Sequence, residues 1–181
     1  VRDSLANMSP TDAVTMTNFF PTVSSVNLRG GYSEWSTGIT GQVDTLMAYE
    51  TGTVSQLFGI AGGKIYNCTT QGAVGAAVVT GLSNSRFENI NVTTAGGSYL
   101  YACNGVDDPL LYNGTTWLSV NGSSSPIAIT GITTNKLNNV TLFKNRVWFI
   151  EKESLKAWYL PTNSVGGAAE VLDLSSIARM G

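Results

Sequence analysis

The chain has 181 residues, a length that fits one domain with a small appendage. Its charged fraction of 12% is about half the ~25% usual for soluble domains, while 43% apolar residues suffice for a packed core. A net charge of −2 gives no strong drive toward nucleic acid or an anionic membrane. The absence of histidine removes Ser-His-Asp and Cys-His triads, His-ligated zinc and the imidazole general base.

Polarity comes instead from Asn, Thr, Ser and Gly, which suits sheet surfaces and tight turns better than long surface helices. Near the start, Ser9-Pro10-Thr11-Asp12-Ala13 reads as one helical turn, with Ser9 as cap and Pro10 at the first helical position. Thr22 to Arg29 alternates Val26 and Leu28 on one parity and breaks at Gly30-Gly31. Residues 1–41 thus form an extended N-terminal arm or first sheet.

Residues 42–181 carry a strand-turn-strand unit that recurs about every 43 to 48 residues. In the first unit (about 42–84), Val43–Tyr49 is a strand. Gln56–Ala61 and Lys64–Thr69 make a hairpin over Gly62-Gly63, and Ala76–Thr80 closes the unit. The second (about 85–135) holds Tyr99–Ala102 and Leu110–Tyr112, with turns at Gly96-Gly97, Asn104-Gly105, Asn113-Gly114 and Asn121-Gly122. The third (about 136–181) holds Val147–Ile150 and Leu155–Leu160, with turns at Lys144-Asn145 and Lys152-Glu153-Ser154. A last strand near Ala169–Leu172 and a short helix from Asp173 to Ala178 follow.

The pattern predicts an all-β fold: repeated antiparallel hairpins and small sheets in a partial β-propeller-like array behind the arm. A period in this range is what propeller blades produce, and each blade must bury its faces on neighbours. Three blades or fewer are too few for a ring, so the array is expected to be incomplete, with a blade face left for docking.

A search for chemistry yields little. Cys68 and Cys103 lie 35 residues apart on predicted strands, without CxxC spacing, and read as small core residues, with a disulfide left open. The pair Asp107-Asp108 suggests a calcium loop or, better, a turn whose side chains satisfy local backbone donors. Glu34, Glu88, Glu151 and Glu153 form no paired-carboxylate motif of a glycosidase, and no sialidase-type aspartate box is present. Gly72-Ala73-Val74-Gly75 lacks phosphate-loop spacing. The sequons at Asn67, Asn91, Asn113, Asn121 and Asn139 read as turn chemistry. No stretch approaches the ~18–20 apolar residues of a membrane span, and no signal peptide is visible.

Two clusters remain. Trp35, Trp117, Trp148 and Trp158, with the seven tyrosines, offer a stacking platform for sugars, although blade packing accounts better for their placement. Residues 136–181 hold six basic and four acidic side chains, against four and eight in 1–135. Lys136, Lys144, Arg146, Lys152 and Lys156 gather around the third hairpin as candidate DNA or partner contacts, diluted by Glu151 and Glu153.

At the N-terminus, Arg2-Asp3, Leu5, Met8, Pro10-Thr11-Asp12-Ala13-Val14, Asn18-Phe19-Phe20-Pro21, Val26-Asn27-Leu28-Arg29-Gly30-Gly31 and Trp35-Ser36-Thr37-Gly38 follow one another closely. Together with Thr45-Leu46-Met47-Ala48-Tyr49, Leu57-Phe58, Ile65-Tyr66, Lys144-Asn145-Arg146-Val147-Trp148-Phe149 and Ala157-Trp158-Tyr159-Leu160-Pro161, this resembles virion structural proteins of tailed bacteriophages. The nearest type is the tail nozzle of short-tailed phages, the tail tubular protein B type, in its N-terminal part. The resemblance implies a propeller-like β fold in a ring, expected to be hexameric, below the portal and adaptor. Its implied partners are other copies of the chain, portal, adaptor and tail fibre proteins, and phage DNA in passive contact. It also implies a place in the virion tail after assembly in the host bacterial cytoplasm, with no catalysis, cofactor or membrane partner. Nozzle proteins are several times longer, so no lumen-facing residue is carried over. The competing expectations are a carbohydrate- or receptor-binding β module and, further off, a hydrolase on a propeller scaffold.

Overall fold

In the computed structural model, Thr15, residues 17–22 and residues 25–177 are described. The chain divides into two compact units, Val1–Glu34 and Trp35–Gly181. Of the residues read as an arm, Trp35–Gly41 therefore fall in the second unit. The helical turn expected at Ser9–Ala13 lies outside the described residues.

In the first unit, β1 (Phe19–Pro21) pairs antiparallel with β2 (Val26–Leu28). Thr22 closes the turn: its Oγ1 accepts the Ser25 amide at 3.0 Å, and its own amide donates to the Ser25 carbonyl at 2.7 Å.

The second unit is built from antiparallel meanders. The first contains β3 (Ser36–Thr37), β4 (Val43–Glu50), β5 (Ser55–Ala61), β6 (Lys64–Asn67) and β7 (Gly72–Ala73). The second contains β8 (Glu88–Thr94), β9 (Gly97–Cys103), β10 (Leu110–Tyr112) and β11 (Trp117–Ser119). The third contains β12 (Ile129–Thr130), β13 (Leu137–Phe143), β14 (Arg146–Glu151), β15 (Lys156–Tyr159), β16 (Gly167–Ala168) and β17 (Glu170–Asp173). The main sheets run β4-β5-β6, β8-β9-β10-β11 and β13-β14-β15-β17. The all-β expectation and the repeated small antiparallel sheets are thus what the chain forms.

Sheets one and three share more than strand order. Each has a bulge near the start of its leading strand, between Val43 and Thr45 and between Leu137 and Asn139. Each is buckled by a short parallel pair that joins the segment before the leading strand to the segment after the third, β3 with β7 and β12 with β16. In sheet one the fourth-strand position is a single bridge, Ile65 with Val79.

The sheets stack in chain order because alternation along each strand gives both faces of the middle sheet apolar side chains. One face buries Leu100, Ala102, Leu110 and Tyr112 against Met47, Phe58, Ile60 and Ile65 of sheet one. The other buries Tyr101, Cys103 and Leu111 against Val140, Val147, Phe149 and Leu160 of sheet three. Edge-to-face ring pairs sit in both seams: Phe58 with Tyr112 at 5.0 Å, and Tyr101 with Phe149 at 5.4 Å. Each such pair contributes about 0.5–1.5 kcal/mol beyond its buried area. Trp117 and Trp158 pack against these clusters, whereas Trp35 is 53% exposed and Trp148 is half-buried outside both, so packing accounts for two of the four tryptophans singled out.

Gly105 shows how closely sheets two and three approach. Its φ is +74°, its amide donates to the Leu137 carbonyl at 2.9 Å, and a Cβ there would lie 2.6 Å from Asn138 Cβ. Only glycine fits.

Two expectations are corrected. The β8–β9 turn is centred on Ala95-Gly96, with Gly97 (φ +131°) already in the strand, because a two-residue turn needs no third residue. No helix begins at Asp173: it ends β17, and its Oδ1 accepts the Ser175 amide at 2.9 Å, which starts a turn instead. A short 3-10 turn at Thr134–Lys136 had no strong signal in the sequence. Cys68 and Cys103 are both buried and free, in keeping with the core reading.

Candidate functional site

The five cations singled out in the third unit are placed at two ends of sheet three. Lys144 lies in the β13–β14 turn and Arg146 follows it at the start of β14. Arg146 lies over the Tyr159 ring at 5.2 Å and donates to the Leu160 carbonyl at 3.2 Å, while Lys144 Nζ sits 5.4 Å above Phe143. At the opposite end, one strand length away (roughly 20 Å for six residues), the Lys152 amide donates to the Lys136 carbonyl at 2.8 Å. These two lysines line a polar cleft of about 370 Å³ with Glu151, Glu153 and Gly105. Lys156 starts β15 opposite Asp173. The structure therefore brings Lys136 to Lys152 and Lys144 to Arg146, but it does not join all five into one basic surface. Glu151 is engaged as well, since its Oε2 accepts Trp158 Nε1 at 2.9 Å.

The acidic pair Asp107-Asp108 ties loops together. Asp107 Oδ2 accepts the Ser83 amide at 2.9 Å and Asn104 Nδ2 at 2.7 Å. Partial burial pushes its carboxyl up, but the bonds from Asn104 and Ser83 outweigh this and hold it below the usual carboxylate range. Asp108 accepts Thr134 Oγ1 at 2.6 Å and Asn121 Nδ2 at 3.2 Å. Among the described residues, no group of three or more His, Cys, Asp or Glu side chains is arranged to hold a metal ion. The same local chemistry explains three sequons: the Oδ1 atoms of Asn67, Asn113 and Asn121 accept amides of Thr69, Thr115 and Ser123.

Two clefts were not evident from the sequence. One, of about 510 Å³, forms where the three leading strands begin and is lined by Asp44, Arg86, Glu88, Asn104 and Asn138. The signal for it was positional: all of these but Asn104, which follows β9, lie within the first few residues of a repeat. The other, of about 400 Å³, lies on sheet two beside Tyr99, Asn113, Trp117 and Pro126.

The remaining feature is the outer face of sheet three. Rows Thr141–Trp148–Tyr159–Glu170 and Asn139–Ile150–Ala157–Leu172 point away from the core rows through Val140 and Phe149. Ile150 and Leu172 are 42% and 44% exposed, and Trp148 stacks on Tyr159 at 4.6 Å. Tyr159 donates to Glu170 Oε2 at 2.6 Å.

Among the described residues no helix is long and apolar enough to cross a membrane. Fold and faces together define an all-β protein of serially stacked antiparallel sheets. Compared with known proteins, the chain matches no protein-family model, no curated protein and no solved structure.

Proposed function

We propose that this chain is a non-enzymatic structural component of a tailed-bacteriophage virion, part of a tail nozzle or tube through which DNA is ejected. The observation that carries the reading is the array of three stacked sheets ending in an open apolar face, an architecture suited to side-by-side assembly with copies of itself. The resemblance of the residue runs named above to nozzle proteins supports the same role. Portal, adaptor and tail fibre proteins would be its neighbours in the virion, and Lys136, Lys144, Arg146, Lys152 and Lys156 its means of passive contact with DNA or partners. No cofactor enters this reading, and assembly would take place in the host bacterial cytoplasm.

The test is immunogold labelling of tailed particles made by the genome that encodes this chain, with mass spectrometry of the purified virions. Label on the tail below the head is expected. Purified particles that lack the chain would end the proposal.

A second reading, a carbohydrate- or receptor-binding β module, is favoured by the cleft beside Tyr99 and Trp117, which pairs aromatic rings with Asn113 and Thr116. A glycan array without signal, together with unchanged tryptophan fluorescence, would remove it.

A further inference from the structure

The equivalence of sheets one and three gives the open face a specific occupant. Counting from the shared bulge, Thr45–Ile60–Ile65 corresponds to Asn139–Ile150–Ala157, and Met47–Phe58–Asn67 corresponds to Thr141–Trp148–Tyr159. In sheet one these rows are covered by sheet two, and Met47, Phe58, Ile60 and Ile65 are at most 1% exposed. In sheet three Asn139, Thr141 and Ile150 are exposed and Trp148 and Tyr159 half-buried, while the small Ala157 is buried.

The converse holds on the other side. Leu46–Gly59–Tyr66 of sheet one corresponds to Val140–Phe149–Trp158, the row with which sheet three packs on sheet two. Val140 is 5% exposed in its seam, whereas Leu46 is 62% exposed, although Gly59 and Tyr66 of the same row are buried. Ile39, Ala48 and Leu57 flank it half-buried. The chain thus carries both halves of one more sheet-on-sheet seam, at opposite ends of its stack.

We infer that the Trp148/Ile150 face of sheet three docks the Leu46/Leu57 face of sheet one of a second copy, head to tail. Charge favours the register. Glu50, paired with Ser55 at the end of β4, corresponds in the sheet alignment to Lys144 at the β13–β14 turn. Stacking in the same orientation brings Glu50 of one copy beside Lys144 and Arg146 of the next. Such a contact is heterologous, so it closes a ring or propagates according to the rotation per copy. It follows from the sheet equivalence alone and does not need the tail assignment.

The experiment is sedimentation velocity of the full chain up to about 100 µM, a range that resolves micromolar association. Wild type is expected to associate. Ile150→Glu and Leu46→Glu, both at exposed positions, should each weaken association at least tenfold without changing the circular dichroism spectrum. An equimolar mixture of the two variants should regain dimers, because each keeps the half that the other has lost. Glu50→Arg should weaken association, and Arg146→Glu in the same chain should restore it. A wild-type monomer at the highest concentration overturns the inference, as does insensitivity to Leu46→Glu, which would point to a symmetric contact through sheet three. Labelled phage tails combined with either result would sink the docking face and leave the virion role standing.

Discussion

Cys103 sits fully buried in the seam between sheets two and three, opposite Glu88 on the neighbouring strand. Burial, and after it the Glu88 carboxylate, pushes its thiol up to about 12 from 9.0. Tyr101, wholly buried beside it, is likewise raised far above the ordinary phenol range, first by burial and then by Cys103. A group with a raised folded value keeps its proton longer when folded, so its contribution is present below the unfolded value and is lost as pH rises toward the folded one. Stability should therefore be level near neutrality and fall above pH 9 through Cys103 and above pH 10 through Tyr101 as well, at up to about 1.4 kcal/mol per pH unit from each group. Urea midpoints across this range check it, and Cys103→Ala should flatten part of the decline. A profile level through about pH 10.5 would refute it. The residue types alone suggested small core positions. The shared desolvation depends on Tyr101, Cys103 and Glu88 meeting on paired strands, which no spacing rule specifies.

At the scale of elements, hairpins were the most legible feature. Gly62-Gly63 announces a turn with positive φ at both central residues, and its φ values are +54° and +70°. The β13–β14 turn adopts a similar conformation with Lys144 at +49° and Asn145 at +57°. A lysine there is disfavoured, because its Cβ crowds the backbone. The double substitution Lys144→Asn with Asn145→Gly supplies the pair that such turns prefer and should stabilise the protein by about 1 kcal/mol. A urea midpoint that falls would contradict this. Less legible were the two-residue pairs β3–β7 and β12–β16. Ser36-Thr37 and Gly72-Ala73 have no periodicity of their own, and only tertiary pairing makes them strands. The grouping of the five cations misled for a related reason. Neighbours in sequence around a hairpin lie at its two ends once six residues of strand separate them.

For the whole molecule, the middle sheet belongs to both seams, and this couples the stack. Phe58→Ala in one seam and Phe149→Ala in the other should each cost about 3–5 kcal/mol. Both losses should appear as shifts of a single cooperative transition, with tryptophan fluorescence and circular dichroism coincident. Trp117 reports on the first seam and Trp158 on the second, so two separated transitions would show that the sheets unfold independently. The repeat period pointed to stacked sheets. It did not reveal that sheets one and three are the closer pair, because their likeness lies in bulge position and buckling rather than in side-chain identity.

Those buckles also bear on the time course of folding. A hairpin closes over a few residues, whereas joining Ser36 to Gly72, or Ile129 to Gly167, closes a loop of roughly three dozen, at an entropic cost of about 3 kcal/mol when nothing between is formed. Once the intervening meander exists, most of that cost has been met and the remaining gap is short. Each buckle is thus a late step, fastened onto a finished meander, and its few hydrogen bonds are the first to open in a native fluctuation. A nascent chain would therefore expose the outer rim of sheets one and three longest, at the stage when wrong pairings are easiest to make.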